Sequence, residues 1–208
     1  MAWYPRDIAF ILARDPAARH PLEVLLTYPG YHAMLLHRVA HALWQARLKL
    51  VARVLAYLSR LVTGIEIHPA AVIGACCFID HGTGVVIGET AVVGDRVTLY
   101  QGATLGGVKT EKVKRHPTLG NDVMVGAGAR LLGPISIGDG AKIGANAVVL
   151  GDVPAGATYV GVPARAMNES PQAAVAERVA HLEARLAALE NAFGVRTVLQ
   201  PKEAQYDA

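Results

Sequence analysis

The chain has 208 residues, 18% of them charged, with a net charge of +3 and a pI near 9.0. That length holds one or two small units with a real core, and the charge is too weakly basic to argue for a nucleic-acid partner while suiting an anionic cofactor. The two cysteines, Cys76 and Cys77, are adjacent, which excludes a disulfide framework and a CxxC metal site.

Residues 1–63 read as helical, broken at Asp15-Pro16 and at Tyr28-Pro29-Gly30. LEVLL, YHAMLLHRVAHALW and KLVARVLAYLSRLV each carry apolar residues three and four apart. Thr63-Gly64 is a helix end. The start, MAWYPRDIAF, lacks the charged and apolar regions of a signal peptide. Leu48 to Val62 is interrupted by Lys49, Arg53 and Arg60, and is too short and too charged to span a bilayer. A reduced cytoplasmic setting, away from membranes, is the expectation.

From residue 64 an aliphatic returns every sixth position: Ile67, Ile73, Ile79; Ile87, Val93, Leu99, Leu105; Leu119, Val125, Leu131, Ile137, Ile143, Val149. Glycine often follows, and a small or branched residue sits four positions on, as at Ala71, Ala91, Ala103, Ala129 and Ala147. Neither a helix nor a strand period produces this. A repeat this short means one rung stacked many times, with three hexads to a triangular turn of a parallel β-helix. The coil is expected over 64–166, ending at GVPAR.

Residues 167–208 form a third section. Val175, Val179, Leu182, Leu186, Leu189 and Phe193 are spaced 4, 3, 4, 3, 4, a heptad seam. Two readings stand: the stripe packs on the chain's own coil, or it joins copies of the chain as a short coiled coil. The tail after Gly194 reads as disordered.

The rhythm breaks twice. Ile79 to Ile87 is two residues too long, and Leu105 to Leu119 eight too long. Inserted residues must leave the coil, and loops on rigid scaffolds commonly carry function. Each break holds a charged residue directly before a histidine: Asp80-His81 and Arg115-His116.

The strings GIEIHPAAVIG, IDHGTGVVIGETAVVGD, TLGG, RHPTLG, GAGARLLG, GAKIGANAVVL and GVPAR together resemble serine O-acetyltransferase. The resemblance covers about residues 64–166 and extends weakly upstream through DPAAR and GYHAMLLHRVAHALW. Hexads alone indicate only the broad hexapeptide acyltransferase superfamily; DHGTG with ETAV, and RHP after the glycine-rich loop, are more specific. The resemblance implies a left-handed β-helix that moves the acetyl group of acetyl-CoA to the hydroxyl of L-serine in cysteine biosynthesis.

Such a transfer needs a base for the hydroxyl proton, donors for the tetrahedral oxyanion, and a dry cleft. By resemblance His81 is the base, oriented by the carboxylate of Glu66, where many members carry Asp. Asp15 and Asp80 match contacts to the serine amino group. Arg115 matches the carboxylate contact, for which a guanidinium fork is well shaped. His116 matches a second histidine near the hydroxyl, which shares the base work or only positions serine. Gly106, Gly107, Gly126 and Ala127 match positions along the pantetheine arm, and Lys142 and Arg165 positions near the adenosine phosphates. No metal is implied. Taken as residues alone, Asp15 and Asp80 also fit turn and cap chemistry, and Gly126 and Lys142 fit the repeat.

The family's site lies between subunits, so the expected assembly is a homotrimer, or a hexamer of paired trimers. The short helical region departs from the longer members that form hexamers. The chain ends Tyr206-Asp207-Ala208 rather than in isoleucine, so a complex of the usual type with serine sulfhydrylase is not expected. Three other readings compete. An acetyltransferase for a sugar or xenobiotic hydroxyl would not need the set Asp15, Asp80 and Arg115. A γ-type carbonic anhydrase would need three zinc histidines, which His116 lacks companions to supply. A non-catalytic scaffold would be indifferent to loss of His81.

Overall fold

The computed structural model describes residues 4–166 and 171–193. Residues 4–166 belong to one compact unit and the C-terminal helix to another. The first unit opens with α1 (Tyr4–Arg14), α2 (Pro21–Thr27), α3 (Pro29–Gln45) and α4 (Lys49–Thr63). The expected breaks fall between helices. Pro29 begins α3, where a missing N–H costs nothing, and Gly64 closes α4 with φ +71°.

A parallel β-helix follows, with three sheets forming its sides. The first sheet runs β1 (Glu66–Ile67), β4 (Val86–Ile87), β7 (Thr104–Gly106), β10 (Arg130–Leu132), β13 (Val148–Val149). The second runs β2 (Val72–Ile73), β5 (Val92–Val93), β8 (Thr118–Leu119), β11 (Ser136–Ile137). The third runs β3 (Phe78–Asp80), β6 (Thr98–Tyr100), β9 (Met124–Val125), β12 (Lys142–Ile143), β14 (Thr158–Val160), with β15 (Arg165–Ala166) antiparallel at its edge.

The hexads explain the register. Ile67, Ile87, Leu105, Leu131 and Val149 pair in one column, and Ile79, Leu99, Val125 and Ile143 in another. Every one of these side chains is buried, as are Ala71, Ala91, Ala103, Ala129 and Ala147, each four positions after its aliphatic. Each buried aliphatic contributes roughly 1.5–3 kcal/mol of transfer free energy. A coil buries this face only against the next, so the stack is stable as a whole.

The corner between the second and third sheets is closed internally. The Asp95 carboxylate accepts from Ala75 N at 2.7 Å, Asn121 Oδ1 from Asp95 N at 2.9 Å, and the Asp139 carboxylate from Asn121 N at 2.6 Å. Arg96 and Asp122 form a two-pronged ion pair on the same corner. The two sequence breaks leave the coil at the other two corners: residues 81–85 between β3 and β4, residues 107–117 between β7 and β8.

The helices dock on the first coil. Phe78 faces outward from β3 yet is buried, packed with Ile8, Ile11, Val24 and Tyr31. α4 lies along β1 and buries its small residues, Ala52, Ser59 and Thr63. Its large ones, Leu50, Val51, Val54, Tyr57, Leu58, Leu61 and Val62, are exposed.

In the second unit, α5 (Pro171–Phe193) carries the heptad seam. Val179, Leu182, Leu186 and Leu189 are exposed. The side chains of Val175 and Phe193 and the tail expected to be disordered lie outside the described residues.

Candidate active site

The predicted site residues fall into two groups at two corners of the coil. The first group sits where the third sheet passes to the first. Asp80 ends β3 and His81 follows with φ +58°, then Gly82 at +74° and Gly84 at +77°. Three left-handed residues within four turn the chain sharply outward, and a non-glycine residue there is uncommon. Gly82 has a second constraint, because a Cβ would come within 2.4 Å of Ile65 Cδ1. The turn leaves His81 70% exposed, its Nδ1 3.8 Å from Asp80 Oδ1.

Asp15 joins this group through Tyr28. Tyr28 Oη donates to Asp15 Oδ2 at 2.6 Å, while Asp15 Oδ1 accepts from Ala17 N at 2.8 Å. Asp15 is thus both a turn residue and a member of the cluster. Burial, the hydrogen bond to Asp15 and the nearby charges of Asp15 and Asp80 hold the Tyr28 hydroxyl well above its ordinary pKa. Tyr28 therefore holds Asp15 by a hydrogen bond and senses Asp80 through its charge alone. Sequence reading took Tyr28-Pro29-Gly30 only as a helix break.

Glu66 carries the carboxylate expected to orient His81. Its carboxylate pairs with Arg60 at 2.9 Å, because the last turn of α4 lies beside β1 and brings the guanidinium over it. The carboxylate beside the His81 ring is that of Asp80.

The second group sits where the first sheet passes to the second. Glu89 and Thr90 follow β4, and the long loop returns alongside them as Lys114, Arg115 and His116. Arg115 Nη2 is bound to Glu89 Oε2, a bond that draws the carboxylate's pKa down. His116 is buried, with its Nδ1 2.8 Å from Thr90 Oγ1. Burial and the adjacent Arg115 guanidinium lower its pKa. His68, at the end of β1, shares this corner. Burial foremost, then the cations Arg53 and Arg115 against the opposing Glu89, brings its pKa down to about 4.

Glu89, Thr90, Gly88 and His68 were not singled out as site residues. ETAV was legible as a motif, but the partners of its first two residues lie 26 positions away. The residues assigned to acetyl-CoA divide the same way. Gly106 and Gly107 lie at the second group's corner. Gly126 and Ala127 follow β9 at the first group's corner, with Lys142 and Arg165 exposed on the third sheet. Among the described residues, no cluster of three or more His, Cys, Asp or Glu side chains is arranged to hold a metal ion.

Residues 116–151 match the family described as bacterial transferase hexapeptide (six repeats). A serine acetyltransferase of Helicobacter pylori is 60% identical over 159 residues, 76% of this chain and 93% of the relative. The chain belongs to the serine acetyltransferases. Its fold agrees. The serine acetyltransferase of Neisseria gonorrhoeae, solved in complex with serine, superposes with a TM-score of 0.76 at 45% identity, covering 78% of this chain and 67% of that one. A serine acetyltransferase solved in complex with CoA gives 0.75 at 44% identity, covering 79% and 68%. As a member of this family the chain is an enzyme, a transferase built on hexapeptide repeats.

Proposed function

We propose that this enzyme transfers the acetyl group of acetyl-CoA to the hydroxyl of L-serine, giving O-acetyl-L-serine and CoA. The observation that carries this reading is the pairing of two acidic side chains, Asp15 and Asp80, at one half-site with a guanidinium, Arg115, at the other. A zwitterionic amino acid needs both; a neutral sugar needs neither.

In this reading His81 takes the hydroxyl proton as the serine oxygen bonds to the thioester carbon. The tetrahedral intermediate then expels the thiolate of CoA, which recovers the proton from the His81 imidazolium. The Asp80 carboxylate lies 3.8 Å from the ring nitrogen Nδ1. Asp15 and Asp80 hold the serine ammonium, and Arg115, held by Glu89, binds the carboxylate in a two-pronged way. Gly106, Gly107, Gly126 and Ala127 line the pantetheine arm, and Lys142 and Arg165 neutralise the adenosine phosphates.

The two half-sites occupy different corners of one coil, so a complete site needs a second chain. A homotrimer has the required symmetry: the first corner of each subunit meets the second corner of the next. The exposed apolar stripe on α4 supports association, since a surface of that size is rarely left in water. No described helix is long and apolar enough to cross a membrane, and the cytoplasm is the compartment we propose.

The test is CoA thiol release from acetyl-CoA with L-serine, L-homoserine or a galactoside as acceptor, on wild type and His81→Ala. Serine-dependent release, lost in the variant, is expected. Equal release with and without serine refutes the reading.

A further inference from the structure

Thr90 is enclosed by the returning end of the long loop. Its Oγ1 accepts the backbone N–H of Arg115 at 3.0 Å and that of His116 at 3.1 Å. A hydroxyl offers two acceptor positions and one hydrogen. Both positions are taken, so the hydrogen goes to the remaining neighbour, His116 Nδ1, 2.8 Å away. The backbone N–H of Thr90 also donates to Nδ1, at 3.2 Å. An amide N–H can only donate, so Nδ1 presents a lone pair and the ring's proton sits on Nε2. Lys114 Nζ holds Thr90 from the other side, donating to its carbonyl at 2.6 Å.

The edge of the ring bearing Nε2 lies over positions without a Cβ. A Cβ at Gly88 would come within 2.1 Å of Nε2, and one at Gly107 within 3.1 Å. Gly107 is half of the glycine pair assigned to the acetyl donor, so the Nε2–H sits beside the place where donor and acceptor meet. The charged and titratable groups around the ring are Arg115, Lys114, Glu89 and His68.

We propose that Thr90 is a positioning residue that holds His116 as a neutral Nε2–H donor, so that His116 gives a hydrogen bond to an oxygen of the acceptor and leaves proton abstraction to His81. The inference rests on the acetyltransfer reading above. The serine proton moves to His81 as the new C–O bond forms, and from His81 to sulfur as the C–S bond breaks. The His116 proton stays on Nε2 throughout.

The tautomer is read without substrate. Full-length protein carrying 15N-histidine is followed by long-range 1H–15N correlation across the ordinary histidine titration. A ring with the Nε2–H pattern and constant nitrogen shifts is expected, assigned by its absence in His116→Gln. Thr90→Ser keeps the pattern, and Thr90→Val, which leaves Nδ1 only the backbone N–H at 3.2 Å, admits a measurable fraction of the Nδ1–H form. An Nδ1–H ring, or one that titrates with the exposed histidines, overturns the proposal. In kinetics, His116→Ala lowers kcat/KM for serine at least about tenfold, the worth of one hydrogen bond or more. His116→Gln, which keeps an N–H, recovers part of the loss and retains the acidic limb of the kcat/KM profile; loss of that limb makes His116 the base and overturns the proposal. Should Thr90→Val fail to fold, the wild-type tautomer and the His116→Gln profile still decide. Wild type inactive toward serine overturns the acetyltransfer reading instead, and the nitrogen pattern is unaffected by that outcome.

Discussion

Gly88 lies against the Cδ2–Nε2 edge of the His116 ring. A Cβ at that position would come within 2.0 Å of the ring's Cδ2 and 2.1 Å of its Nε2. The ring is buried and tied to Thr90, so it cannot swing aside freely. Gly88→Ala is therefore expected to lower kcat/KM for serine by about 100-fold, the usual effect of misplacing a reacting group by about 1 Å. The overpacking costs roughly 1–3 kcal/mol. Steady-state kinetics alongside urea unfolding separates the two: a variant as active as wild type means the ring has no role at the site.

Arg115→Lys keeps the charge and removes the planar fork. Glu89 receives one bond from Arg115 Nη2, and an ammonium in its place has no planar fork left to align with the serine carboxylate. KM for serine should rise about tenfold or more while KM for acetyl-CoA stays within about twofold. A rise confined to acetyl-CoA would move Arg115 to the other substrate.

Phe78 joins the helices to the coil. Phe78→Ala empties the pocket formed with Ile8, Ile11, Val24 and Tyr31 and should cost about 3–5 kcal/mol. Asp15 is held on the same helical layer, so KM for serine should rise in whatever fraction stays folded. Unchanged denaturation would mean the helices are anchored elsewhere.

The split site predicts complementation. His81→Ala and His116→Ala, unfolded together and refolded as a mixture, should regain roughly a quarter of wild-type activity, because one interface in four pairs two intact corners. Refolded alone, His81→Ala should stay near background and His116→Ala at about a tenth of wild type or below. Absence of any recovery would argue for a site contained within one chain.

His37 and His68 set a pH dependence of stability. Burial foremost, with nearby cations, holds both pKa values down to about 4, against an ordinary 6.5. Between those values the unfolded chain binds more protons than the folded one. Stability is full above about pH 6.5 and is lost as pH falls toward 4, with a slope of at most about 2 kcal/mol per unit, since solvent screens half-buried His68. Urea midpoints at fixed protein concentration between pH 7 and 5 measure it. His37→Gln should flatten the slope by about half; a midpoint independent of pH would show that both rings protonate without cost.

Much of this molecule is legible from spacing. Each aliphatic of a hexad faces the axis and pairs with its equivalent one coil away, so period becomes register directly, as from Ile79 to Leu99 to Val125. His81 and His116 were visible because insertions interrupt that period. Thr90 was not, because its importance lies in meeting residues 25 and 26 positions later across a loop of irregular length. The Glu66 assignment came from resemblance, and no spacing in the chain reveals that Arg60 reaches it first.

The amino-acid order by itself determined the stacked coil, the two exits from it and the residue types carried there, since burying a repeating apolar face admits one arrangement. Which side chains meet was decided only in three dimensions. Lateral contacts between coils, and the seating of helices on Phe78, depend on how far each loop travels before it returns. They bring Tyr28 to Asp15, Glu89 to Arg115, and the hydroxyl of Thr90 to His116.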